Sequence, residues 1–73
     1  MPNDSFVITR AELLTPTLRT TLELVADGYT ADEIADRINR SAATVRGHLE
    51  RIRHALSARN TTHAVAIYLR APA

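Results

Sequence analysis

Residues 41–56 constrain the fold most tightly, because their apolar and polar side chains separate onto opposite faces only if the segment is an α-helix. Val45, Leu49, Ile52 and Leu56 recur at spacings of four, three and four, the repeat of a single helical stripe. Ser41 stands where an N-cap belongs, its hydroxyl able to accept from the backbone N–H of Ala43 or Thr44. Winding the segment at about 100° per residue puts Gly47, Glu50 and His54 opposite the stripe, with Ala43 beside them. Arg46 and Arg53 flank one side, and Thr44, His48 and Arg51 the other. A helix apolar on one face and arginine-edged around a glycine on the other has the layout of a docking helix, one that a duplex DNA groove could accept.

The segments before it carry their own punctuation. Thr9-Arg-Ala-Glu12 has capping-box spacing and predicts a short turn or helix ending by Leu14. Thr15 followed by Pro16 reads as an N-cap and a first-turn proline, Leu18, Leu22 and Val25 as a stripe, and Gly28 as a left-handed stop. A helix over about 16–27 follows. Thr30-Ala-Asp-Glu33 is another capping box, opening a short helix through Ile34, Ala35 and Ile38, with Asn39 and Arg40 as the turn before Ser41. Two helices joined by a turn of three or four residues, the second one basic, form a helix-turn-helix. Thr61 or Thr62 caps a last helix that reaches about Arg70, and Pro72 stops it. The expected class is all-α: four helices, with an extra short N-terminal turn.

Seventy-three residues make one small domain. The pattern assigns 1–13 to an N-terminal arm, in which Phe6 and Ile8 are placed to tuck under the core, and 14–71 to the helical domain. Cysteine is absent, which removes disulfides and thiolate metal sites together. The longest apolar run, Ala64 to Leu69, is six residues, and the first residues carry no basic secretory leader. These features fit a cytoplasmic protein. The net charge of +1 conceals a polarity: residues 1–36 hold two arginines against seven acids, and residues 37–73 hold seven arginines against one acid, Glu50. A basic half of this kind suits a polyanion, although a salt-bridged surface without any partner has the same composition.

The ordered residues resemble the LuxR/GerE-type helix-turn-helix family, the DNA-binding module of many bacterial response regulators. The matches are Leu14-Thr15, Leu22, Val25-Ala26-Asp27-Gly28, Thr30, Glu33-Ile34-Ala35, Ser41, Thr44-Val45-Arg46 and His48. They continue through Ile52, Leu56, Asn60, Thr62, Ala64 and Val65, so the resemblance spans 14–69. It implies a four-helix domain whose third helix enters the major groove and whose fourth commonly joins two copies on paired half-sites. Carried onto this chain, it makes Arg46, Gly47 and Glu50 the base-reading positions, with Thr44, His48 and Arg51 near the DNA backbone. There are departures. The first helix has Thr17-Leu18-Arg19-Thr20 where the family has Arg-Glu-x-Glu. The third helix ends Ala55-Leu56-Ser57 rather than Lys-Leu-Gly, and Thr61 replaces the usual arginine.

Side-chain chemistry bears on the same positions. The Arg46 fork matches guanine O6 and N7, or else pairs with Glu50 one turn on. Gly47 costs about 1 kcal/mol relative to alanine within a helix; it either keeps the backbone clear for a close approach to base edges or is a plain tolerated glycine. Glu50 accepts from cytosine N4, or holds Arg46 and Arg53 in fixed rotamers, or simply weakens binding by phosphate repulsion. Arg40, Arg51, Arg53 and Arg59 read as phosphate contacts. Thr30 and the backbone N–H groups at the start of the second helix are a further one, unless Thr30 is only a cap. Of His48, His54 and His63, the first two are six apart and cannot share a helical face, and with no cysteine and only scattered acids near no metal is expected; His48 is expected half-buried with one ring nitrogen hydrogen-bonded. No cofactor site, nucleophile–base set or paired carboxylates for an enzyme are present.

The last helix is apolar all round, beyond what one packing face requires. Val65, Ile67, Tyr68 and Leu69 therefore read as a dimer face, with burial under the N-terminal arm as the other outcome. The expected function is a sequence-specific transcriptional regulator that binds double-stranded DNA as a homodimer. Two rivals share features of the chain. One is a small antagonist that heterodimerises with a larger regulator through the last helix. The other is the promoter-reading region of a sigma factor, against which the Asn60–Val65 stretch argues.

Overall fold

The computed structural model describes residues 10–70. A 3-10 turn, Arg10–Leu13, leads into four helices: α1 (Pro16–Ala26), α2 (Ala31–Ile38), α3 (Ala42–Leu56) and α4 (Thr61–Arg70). The architecture is the all-α plan expected from the pattern, with the short turn ahead of it and no strand among the described residues. The Phe6–Ile8 arm lies outside the described residues.

Local chemistry starts each helix. The Thr15 hydroxyl accepts from the Leu18 N–H at 3.2 Å, with Pro16 in the first turn where its missing N–H costs nothing. At α2 the capping box is complete. The Thr30 hydroxyl accepts from Glu33 N–H at 3.2 Å, and the Glu33 carboxylate accepts from Thr30 N–H at 2.9 Å. Ser41 accepts from Thr44 N–H at 3.1 Å. At α4 the cap is Asn60, one residue ahead of the two threonines proposed for it: its side-chain oxygen accepts from His63 N–H at 2.8 Å. Asparagine is at least as good a cap as threonine, so three candidates in a row left the choice to chain geometry.

Helix ends follow left-handed residues. Gly28 sits at φ +96°, as a glycine stop should, and Asn39 ends α2 at φ 58°, ψ 47°, a region its short amide tolerates. Ser57 closes α3 at φ 54°, ψ 39°. This is the position where the family pattern has glycine, and the structure supplies the reason: a side chain there costs about 1 kcal/mol. Ser57→Gly is expected to stabilise the fold by roughly 0.5 kcal/mol, read from urea unfolding. A destabilised variant would contradict the left-handed geometry.

The core has two lobes joined through α3. Leu14, Leu18, Leu22, Ile52, Leu56 and Ala64 form the larger one, uniting α1, α3, α4 and the residue just after the turn. Ile34, Ala35 and Val45 form the smaller one between α2 and α3. Half-buried Leu49 packs against both. The stripe Val45, Leu49, Ile52, Leu56 therefore holds α3 from behind along its whole length, and Val25 joins the α2 side rather than the larger lobe. Thr21, fully buried in α1, meets its hydrogen-bond need locally by donating to the Thr17 carbonyl at 3.0 Å.

Candidate nucleic-acid interface

Behind α3 the core is closed, and in front of it the polar face is open. Arg46, Gly47, Glu50 and Arg51 are all exposed. Nothing lies within 4 Å of where a β-carbon on Gly47 would stand. Around it Arg46, Gly47, Leu49, Glu50 and Arg53 line a shallow depression on the helix surface. Among the described residues the Arg46 side chain makes no hydrogen bond or ion pair. Its guanidinium is left to solvent with all of its donors unused.

Glu50 was expected to choose between a base and two arginines, and in the free protein it holds one of them. Its carboxylate lies 3.6 Å from the Arg53 guanidinium, and the Arg46 pairing is absent. The sense of the helix explains the choice. An acid N-terminal to its base is the favourable order, since side chains lean toward the N-terminus and the helix dipole assists; Glu50–Arg53 has that order and Arg46–Glu50 the reverse. The Glu50 side chain is 66% exposed, so the pair adds only a few tenths of a kcal/mol to stability. Its effect is on geometry.

The residues named for the DNA backbone differ in their surroundings. Arg40, Arg51 and Arg59 are exposed, and Arg40 lies in the turn, beside Pro16, Thr17, Thr20 and Ile38. Thr44 is exposed and its hydroxyl accepts from Ser41 Oγ at 3.0 Å. Arg53 is half-buried and engaged with Glu50. Thr30 is exposed, but its N–H and its hydroxyl lone pair both serve the capping box. The Thr30 N–H and hydroxyl hold the Glu33 carboxyl below the usual carboxylate range. The capping box is therefore intact above that range and weakens as pH falls through the lowered value.

His48 is half-buried as expected, but the expected hydrogen bond is missing: its Nδ1 is shielded and has no partner. An unpaired buried ring nitrogen of this kind costs about 1–3 kcal/mol. His63 makes a bond not anticipated from spacing, accepting at Nδ1 from the Arg59 N–H at 3.0 Å just ahead of α4. Among the described residues no group of three histidine or acidic side chains is placed to hold a metal.

In α4 the surplus of apolar surface is smaller than the sequence suggested. Val65, Ile67 and Tyr68 are half-buried and pack against the larger lobe of the core, while Leu69 remains 68% exposed. Tyr68 also reaches across to α1, its phenol donating to the Glu23 carboxylate at 2.6 Å, which raises its pKa from the ordinary phenol value. On α2, Arg37 stacks over the Tyr29 ring at 4.1 Å from its centre, a contact not anticipated from spacing although the two are eight residues apart.

Two capped helices, joined through the turn residues Asn39, Arg40 and Ser41, present the exposed face of the second one, and this defines a helix-turn-helix domain of the DNA-binding kind. The family model GerE, described as bacterial regulatory proteins of the luxR family, matches residues 12–68. The chain belongs to that family, a family of helix-turn-helix DNA-binding regulators. No match is found among curated proteins or among solved structures. Among the described residues no helix is long and apolar enough to cross a membrane.

Proposed function

We infer that this protein is a sequence-specific transcriptional regulator that binds double-stranded DNA as a homodimer, with α3 in the major groove of each half-site. The observation that carries the reading is the free guanidinium of Arg46 beside the open backbone at Gly47, on a helix anchored by four apolar residues behind it. Arg46 is the guanine reader, its fork matching O6 and N7. Gly47 lets the helix approach the base edges. Arg40, Arg51 and Arg59 meet phosphates, Thr44 donates its hydroxyl proton, and Thr30 sits beside the backbone N–H groups that open α2, which make the further contact. His48 turns Nε2 to the backbone, its other ring nitrogen being shielded. Leu69, with the outer edges of Val65, Ile67 and Tyr68, pairs two copies, which sets the recognition helices on groove turns about 34 Å apart.

A salt series tests this. Affinity for a random duplex should fall steeply with salt, by about 0.9 in the log–log slope for each phosphate contact made. Near-zero slope would favour the interaction-module reading, in which the last helix captures a larger regulator and no DNA is bound.

Gly47→Ala separates fold from function at the same position. With open space around it, the substitution should raise stability by about 1 kcal/mol through helix propensity. Affinity for the specific site should drop, because a methyl group now stands between backbone and base. Stability read by thermal unfolding and affinity read by fluorescence anisotropy should move in opposite directions. If affinity holds or rises, close approach at Gly47 is not part of recognition.

A further inference from the structure

The face of α3 carries a donor and an acceptor side by side. Arg46 is exposed and unpartnered, while one turn later Glu50 presents a carboxylate that is 66% exposed and held from one side by Arg53 at 3.6 Å. Residues four apart on a helix are separated by about 6 Å along its axis, against about 3.4 Å per base step. The two side chains therefore address bases one or two steps apart.

A carboxylate near phosphates is repelled unless its charge is balanced and a donor waits for it. Arg53 supplies the balance. Among the major-groove edges, cytosine offers the N4 amino group with no acceptor beside it, whereas adenine pairs its N6 amino group with the N7 acceptor, which repels a carboxylate. Guanine presents acceptors alone. We propose that Glu50 is a specificity-determining residue that accepts from the N4 amino group of a cytosine one or two base pairs from the guanine taken by Arg46, and that Arg53 is a positioning residue which neutralises and aims it. This rests on α3 being the groove helix. It adds that the half-site contains a guanine and a cytosine at that separation, and that Arg53 serves Glu50 rather than a phosphate.

The experiment is selection of bound duplexes from a randomised pool by the full chain and by Glu50→Gln, Glu50→Ala and Arg53→Ala, each checked for helix content by circular dichroism. The wild type should enrich a motif with a cytosine within two base pairs of its conserved guanine, preferred on the order of tenfold over other bases. Glu50→Gln should move that one position to adenine, since an amide offers both a donor and an acceptor, and leave the rest of the motif in place. Glu50→Ala should erase the preference there alone. Arg53→Ala should weaken the cytosine preference while the guanine is retained, an effect that a simple phosphate contact would not produce. A wild-type motif that Glu50→Ala reproduces at every position, with tighter binding to all sequences, would overturn the proposal and leave Glu50 as a repulsive charge. Folded wild-type protein that enriches no motif would remove the groove-helix reading itself, and the proposal with it.

Discussion

Ile52→Ala should cost about 3 kcal/mol of stability, within the range of about 2–5 kcal/mol seen when a buried isoleucine or leucine is cut to alanine. Ile52 is 1% exposed and lies in the larger core lobe with Leu14, Leu18, Leu22, Leu56 and Ala64, so its removal opens a void where three helices meet. A chain of this size buries only about 60% of its unfolded surface and has little stability to lose. The melting temperature should fall by roughly 15 °C, at about 4–8 °C per kcal/mol for a small domain. DNA binding should weaken in parallel, since α3 is held in place by that same side chain. Urea and thermal unfolding followed by circular dichroism measure it. A loss under about 1 kcal/mol would mean that the lobe relaxes into the void and that α3 is less firmly held than its burial indicates.

Arg46→Ala is the counterpart, with a large effect on recognition and almost none on folding. The residue is exposed and its side chain makes no hydrogen bond or ion pair among the described residues, so stability should stay within about 0.5 kcal/mol of the wild type. Discrimination against duplexes lacking the guanine should fall by about 1–3 kcal/mol, or roughly 5- to 150-fold. The salt slope on random DNA distinguishes the two ways an arginine can bind. A base contact leaves that slope unchanged, and a phosphate contact reduces it by about 0.9. If affinity drops equally for every sequence and the slope drops too, Arg46 positions the protein and another residue reads the base.

The two predictions divide α3 by face, and that division was visible in the order of its residues. The spacing of Val45, Leu49, Ile52 and Leu56 selects the buried side, and the structure buries three of the four completely. Leu49 stays half-buried, packed against both core lobes. The candidate interface was legible to the same extent. Helical geometry places Arg46, Gly47 and Glu50 together whatever surrounds them, and the structure adds that the space in front of them is open. Spacing alone offered the Glu50 carboxylate both Arg46 and Arg53, and the acid-before-base order, which periodicity does not weigh, favours the Arg53 pairing that the structure has. Nor could the exposure of α4 be read from its composition. A helix apolar all round is consistent with a second copy or with a deeper seat on its own core, and here most of it is seated.

What the order of residues decided on its own was everything governed by neighbours three or four positions apart: the caps at Thr15, Thr30 and Ser41, the stop at Gly28 and the stripe on α3. These depend on the 3.6-residue repeat and on hydrogen bonds that close within one turn, so no distant partner can alter them. Folding in three dimensions decided the rest. It set the Tyr68–Glu23 bond across 45 residues, the unpartnered nitrogen of His48, the division of the core into two lobes and how much of α4 remains uncovered. Each of those depends on which surfaces meet when helices pack, and a periodic pattern specifies a face without specifying what will lie against it.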